Sequence, residues 1–207
     1  RPERLQDLPD FSDPPVIQTV LSVQFEPLAE LRTAYLGLYW AANKNRYPKT
    51  EERPELSPII ERFPDHPKME FGIQLETLEA PPTPRIWFMS ETGTELIQVQ
   101  RDRFIKNWRK GGTGAHYPRY ERVRETFDEE FAAFASFSQD QSLGNISITQ
   151  CEVSYVNHIV SGEGWKTHAD VDQIFTVFNQ PIGDPPGRME DLTCQARFVI
   201  NLSLIHI

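Results

Sequence analysis

The chain has 207 residues, 39% hydrophobic, 25% charged and 11% aromatic, with a formal net charge of -9. That size suits one hydrophobic core and that charged share is ordinary for a globule, which excludes a wholly disordered chain. No apolar run approaches the roughly 20 residues that cross a bilayer, and two cysteines are too few for a disulfide framework or a four-thiolate zinc site.

In chain order, residues 1–15 are proline-rich and acidic and read as an extended lead-in. From Val16 to Phe25, Ile17, Thr19, Leu21, Val23 and Phe25 alternate with Gln18, Ser22 and Gln24, which predicts a strand with one wet side. Pro27 then opens a helix carrying Leu28, Leu31, Tyr35 and Leu38 at helical spacing, ending before Pro48. Ser57-Pro58-Ile59-Ile60 suggests a second, shorter helix with serine as N-cap.

A hairpin follows, with Arg85 to Met89 outbound, a turn at Ser90-Glu91-Thr92-Gly93, and a long return through Leu96, Ile97, Val99, Phe104 and Ile105. Arg101-Asp102-Arg103 interrupts the alternation and implies a bulge or bend. Tyr120, Val123, Phe127, Phe131 and Phe134 step by three and four, which predicts an amphipathic helix. Residues 146–160 read as a long strand, Thr167 to Asp170 as a capping box before a short helix reaching Phe178, and residues 193–201 as a final strand. Both cysteines, Cys151 and Cys194, fall in β-like, half-apolar segments and read as buried free thiols in a reducing cytoplasm.

Grouped, these elements predict a soluble α+β fold with an antiparallel-rich sheet and packed helices. A strand-then-helix unit opens each half, so two strand-helix-hairpin units are expected, the second incomplete. The domain is expected over residues 16–201. Leu202-Ser203-Leu204-Ile205-His206-Ile207 resembles the peptide that a widely used transposase sequencing adapter encodes in one frame, so residues 202–207 are expected to be a non-native tail on a truncated domain.

Between Arg101 and Arg124 the chain holds eight Arg and Lys against two acids, a local +6 in a chain of net -9. Phe104, Trp108, Tyr117 and Tyr120 are threaded through it, and Gly111-Gly112-Thr113-Gly114 divides it. Arg101, Arg103, Lys106, Arg109 and Arg119 are therefore candidate anion or partner contacts, with Trp108 and Tyr120 as stacking faces. The competing reading is that these cations pair with acids elsewhere and the glycines only turn the chain.

Gln98-Val99-Gln100-Arg101-Asp102-Arg103-Phe104, Asn107-Trp108-Arg109, Tyr117-Pro118-Arg119-Tyr120 and Cys151-Glu152-Val153-Ser154-Tyr155-Val156-Asn157-His158-Ile159 together resemble a sporadically distributed bacterial family of unknown function. The resemblance implies a small single-domain protein longer than this chain. It implies no activity, cofactor or catalytic residue.

Glu152, Ser154, Val156 and His158 share one face of a predicted strand, so Glu152, Ser154 and His158 form an alternative polar site, with a general base or a solvated sheet face as its two readings. His168, Asp170 and Asp172 are spaced by two, which turns them apart on a helix, and no metal site is expected. Metalloprotease, nucleophile-elbow and dinucleotide motifs are missing, and no cofactor is implied. Gln98, Gln100 and Asn107 would need partners on a central strand and predict a polar network.

Two function classes follow. One is a non-catalytic interaction module whose basic-aromatic surface meets a partner protein. Nucleic acid is less favoured because the remaining residues carry -15, the difference between -9 and +6. The alternative is a hydrolase or transferase of a phosphorylated or otherwise anionic small molecule, with Glu152 or His158 as base and Arg101 or Arg109 as clamp.

Overall fold

The computed structural model describes residues 11–58, 83–111, 115–162, 164–167 and 170–175. The elements run β1 (Val16–Phe25), α1 (Thr33–Asn43), β2 (Lys49–Arg53), β3 (Arg85–Met89), β4 (Glu95–Gln100), β5 (Arg103–Arg109), α2 (Tyr120–Asp140), β6 (Ile148–Asn157) and α3 (Val171–Ile174). Six antiparallel strands form one sheet in the order β2-β3-β4-β5-β1-β6. This is an α+β fold.

By compactness the chain divides at His158 into residues 1–158 and 159–207. The first unit holds the sheet, α1 and α2. In the second, the Trp165 indole donates to the Ile159 carbonyl at 3.1 Å, and the Asp170 carboxylate accepts the Lys166 and Thr167 amides at 2.8 and 2.9 Å. Asp170 reaches back to Thr167 as the capping-box spacing predicts, and α3 follows it.

Alternation sorts the sheet into two faces. Leu21 and Val23 on β1, Phe104 on β5, Ile97 and Val99 on β4, and Ile86 and Phe88 on β3 share the face beneath α1 and α2, and all are buried. Phe134 on α2 lies 5.3 Å from Phe104, 6.0 Å from Phe25 and 5.5 Å from Tyr39 of α1, which itself meets Phe88. The helical aromatic stripe thus packs on the central strands, where each large buried ring removes 150 to 250 Å² from water.

Several expectations change. The helix begins at Thr33, because the Leu28 amide is tied to the Arg101 carbonyl and the amides of Leu31 and Arg32 turn to the nearer carbonyls of Leu28 and Glu30, at 3.1 and 2.8 Å, without reaching back four residues. Leu28 and Leu31 are buried ahead of the helix, Leu36 and Tyr39 supply its inner face, and Leu38 is exposed. The long return strand is two strands: Gln100 pairs with Arg103 across a tight turn at Arg101-Asp102 that makes a second hairpin. Strand β2, Lys-Thr-Glu-Glu-Arg, was not expected. Its polar sequence suits a sheet edge, where charge blocks further pairing.

Cys151 is exposed, not buried. It lies on β6, the other edge strand, while α2 packs over β1 and β5. The helix suggested at Ser57 runs past the described residues. Residues 112–114 of the glycine break, the strand at 193–201, the second hairpin unit, the tail at 202–207 and Cys194 lie outside them.

Candidate functional site

The alternation that builds β5 divides the basic segment. Phe104, Lys106 and Trp108 point towards the helices, opposite Val23, Leu21 and Thr19, while Arg103, Asn107 and Arg109 point to the other face, opposite Gln24, Val20 and Gln18. Lys106 is only 1% exposed. Its Nζ donates to Tyr47 Oη and Glu130 Oε1 at 3.0 Å each, and to Glu95 Oε2 at 3.3 Å. Arg46 reaches the same two carboxylates at 2.8 and 3.0 Å, and Tyr47 Oη donates to Glu130 at 2.6 Å. This cluster is internally neutralised, with two cations on two carboxylates. Burial and the Glu130 charge push the Tyr47 hydroxyl far up, while Lys106 and Arg46 overcome burial to hold the Glu95 carboxyl below its usual range.

Trp108 is core, 5.3 Å from Tyr117. Arg101 occupies the β4–β5 turn. Arg119 precedes α2 with a backbone φ of 73°, in the left-handed region, and donates to the Phe11 carbonyl at 2.8 Å. Tyr120 opens α2 beside a hollow whose described lining carries four acids, Glu121, Glu125, Asp128 and Glu129, against Arg122 and Arg124. Those two arginines pair along the helix with Glu125 and Asp128 at 2.7 and 2.9 Å. The seven expected contact residues therefore do not share one surface. Lys106 and Trp108 go inward, Arg119 and Tyr120 go to the start of α2, and Arg103 and Arg109 stand at opposite ends of β5 on the face of the sheet away from the helices.

On that face a different cluster forms. Trp87 of β3 has three guanidinium carbons over its ring, Arg53 at 4.6 Å, Arg109 at 5.7 Å and Arg85 at 5.8 Å. Arg53 and Arg85 sit directly opposite on β2 and β3. Like charges in that position repel. Burial, then the charges of Arg53 and Arg103, lower the pKa of Arg85. Glu51 pairs with Arg53 at 2.7 Å, and among the described residues no carboxylate pairs with Arg85, Arg103 or Arg109.

The buried amides form the network their strand positions demand. Arg85 donates to Gln98 Oε1 at 2.9 Å, and Gln98 donates to Asn107 Oδ1 at 2.7 Å. Gln100 holds the Leu56 backbone at both ends, accepting its N–H and donating to its carbonyl at 3.0 Å each, and also donates to Asp102. Arg103 donates to Gln24 and, at 3.1 Å, to the Ser57 carbonyl. The segment after β2 is thereby tied across one end of this face, next to the arginines.

Glu152 and Ser154 lie on the same face at the β6 edge, with the Ser154 hydroxyl donating to Glu152. His158 lies beyond the strand, its amide donating to the Pro15 carbonyl at 2.8 Å. Six residues of chain, about 20 Å when extended, separate Glu152 from His158, so only one of them could serve a given site. Among the described residues no cluster of His, Cys, Asp and Glu could hold a metal ion, and no helix is long and apolar enough to cross a membrane.

Three members of the arginine cluster, Arg53, Arg85 and Trp87, escape a reading based on local charge. The available signal was Arg85-Ile86-Trp87 on a hairpin strand, where a spacing of two puts both polar-headed side chains on one face. No protein-family model, curated protein or solved structure matches this chain.

Proposed function

We propose that the protein is a non-catalytic binding module that engages an acidic partner protein through the arginine-bearing face of its sheet. The observation that carries this reading is the Arg53, Arg85 and Arg109 cluster around Trp87, in which Glu51 is the one carboxylate paired among the described residues. Arginine on an aromatic platform is the composition that protein contact surfaces concentrate. A net charge of -9 on the whole chain works against a polyanion as long as DNA, because the surrounding acids repel phosphates beyond the local patch. The two-cysteine composition and the bacterial resemblance make a bacterial cytoplasm part of the same proposal.

The enzyme reading has less support. It needs Glu152 or His158 as a base set against Arg101 or Arg109, and β1 lies between β6 and β5, with Glu152 level with Ile105, four residues along β5 from Arg109.

Fluorescence anisotropy with labelled poly-L-glutamate and with a labelled DNA duplex tests the reading. R85E/R109E should weaken poly-L-glutamate binding by at least about tenfold, since each reversal turns an attraction into a repulsion. R122E/R124E, on the outer face of α2, should leave it within about twofold. Equal loss in both variants, or duplex binding tighter than poly-L-glutamate, would reject it.

A further inference from the structure

Two guanidiniums and an indole on the sheet face away from the helices hold hydrogen-bond donors with nothing to donate to. Arg53 Nε, Arg85 Nε and Trp87 Nε1 are each buried and find no acceptor among the described residues. Arg103 Nε behind them is in the same state. Among the described residues, every orphaned side-chain atom on this face is a donor. An unsatisfied buried donor is destabilising by about 1 to 3 kcal/mol, more when charged, and native proteins rarely leave several together without cause. Arg53, Arg85 and Trp87 are only partly buried as whole side chains, so other atoms of each meet solvent, and a ligand reaches the orphaned donors when these side chains turn outward.

The placement narrows the ligand. Arg53 and Arg85 are cross-strand partners, which sets their backbones about 5 Å apart. Trp87 follows Arg85 on the same face two residues along β3, opposite Glu51. Each guanidinium can present Nε with a terminal nitrogen as a two-pronged fork. The indole adds a single donor. Two forks, with one terminal nitrogen of Arg85 already held by Gln98, and one further N–H suit an acceptor with three or more oxygens, and two facing cations suit a double negative charge. A carboxylate offers two coplanar oxygens and one charge. A phosphate monoester offers three terminal oxygens and a charge near -2 at neutral pH.

We infer that Arg53, Arg85 and Trp87 form a subsite for a phosphate monoester. It rests on the reading of this face as the anion-contacting surface and specifies which anion the centre of that surface takes. Glu51 is the gate: it already holds one end of Arg53, and must share or release it when phosphate enters. The like-charge pair that opposes folding in the free protein becomes the attraction that holds the ligand.

Isothermal titration at low ionic strength tests this with inorganic phosphate, a phosphoserine hexapeptide, its unphosphorylated serine form and sodium acetate. Inorganic phosphate and the phosphopeptide should each bind one per chain, with acetate and the serine peptide at least about tenfold weaker. A phosphopeptide that binds more tightly than free phosphate would identify a protein-borne group. Binding of free phosphate at least as tight would identify a small-molecule source. R85Q should weaken phosphate by at least about tenfold and R85K only partly restore it, since lysine lacks the fork. R122Q should match the parent, and E51Q should bind more tightly.

No saturable phosphate binding, or acetate equal to phosphate, would overturn the assignment. So would an R85Q protein that melts like the parent and binds phosphate as well. Loss of phosphate binding with retained poly-L-glutamate binding would overturn the subsite alone, whereas loss of both in the parent protein would remove the contact-face reading too.

Discussion

Replacing Lys106 by methionine removes one cation from a buried cluster and leaves Glu130 with Arg46 and Tyr47 as its donors. Glu130 is 8% exposed, and its Oε2 is buried without a donor among the described residues, so the carboxylate has no water to replace the lost Nζ. Truncating one partner of a buried ion pair is destabilising by about 3 to 5 kcal/mol. The lower end applies here, because Arg46 still reaches Glu130 at 2.8 Å. A domain of this kind has about 5 to 15 kcal/mol in all, so K106M should remain folded with a markedly lower urea midpoint. K106M/E130M removes both charges and fills the space with apolar volume. Arg46 then keeps Glu95 at 3.0 Å, and Tyr47 loses its acceptor. The double variant should recover at least about 2 kcal/mol relative to the sum of the single changes. Urea unfolding monitored by circular dichroism measures all three variants. A K106M cost below about 1 kcal/mol, or strict additivity in the double variant, would refute the view that Lys106 is a structural charge and not a surface contact.

The aromatic interior makes a second expectation: F134A, at a fully buried ring touching Phe25, Tyr39 and Phe104, should cost about 3 to 5 kcal/mol, and F134L clearly less. For acid stability, the Glu95 carboxyl has a folded pKa below its unfolded value, so its contribution is present above the unfolded carboxylate range and disappears as pH falls through the lower folded value. E95Q should therefore flatten the acid limb of the stability profile, and an unchanged limb would contradict the pairing with Lys106 and Arg46. Q100A should free the segment at Leu56, raising hydrogen exchange at the Leu56 amide while exchange in β5 stays slow.

Patterns carried by apolar side chains were legible before the structure. Tyr120 to Phe134 marked α2 through its spacing, Val16 to Phe25 marked β1, and Gln98, Gln100 and Asn107 announced a polar network because a central strand leaves no other outlet for amides. Strand β2 was hidden, since an edge strand needs no apolar alternation and Lys49 to Arg53 has none. The β4–β5 turn was masked by its charge, because a two-residue turn at Arg101-Asp102 and a bulge disturb the alternation in the same way. Local charge density also misled. A run of cations along one strand belongs to two faces, so Lys106 met Glu130 from α2 while Arg103 and Arg109 joined Arg53 and Arg85, which lie outside the run. That meeting depends on which strands become neighbours, and the order β2-β3-β4-β5 cannot be read from periodicity.

The most direct measurement follows the indole N–H resonance of Trp87 in a nitrogen-15 spectrum as inorganic phosphate is added. The chain has four tryptophans, and W87F assigns the peak. The Trp87 indole proton should move downfield and saturate as it gains an acceptor, while the Trp40 indole, already bonded to the Tyr47 carbonyl at 3.0 Å, stays in place. A Trp87 resonance that does not respond while the protein is folded, or one that moves no more than Trp40, would contradict it.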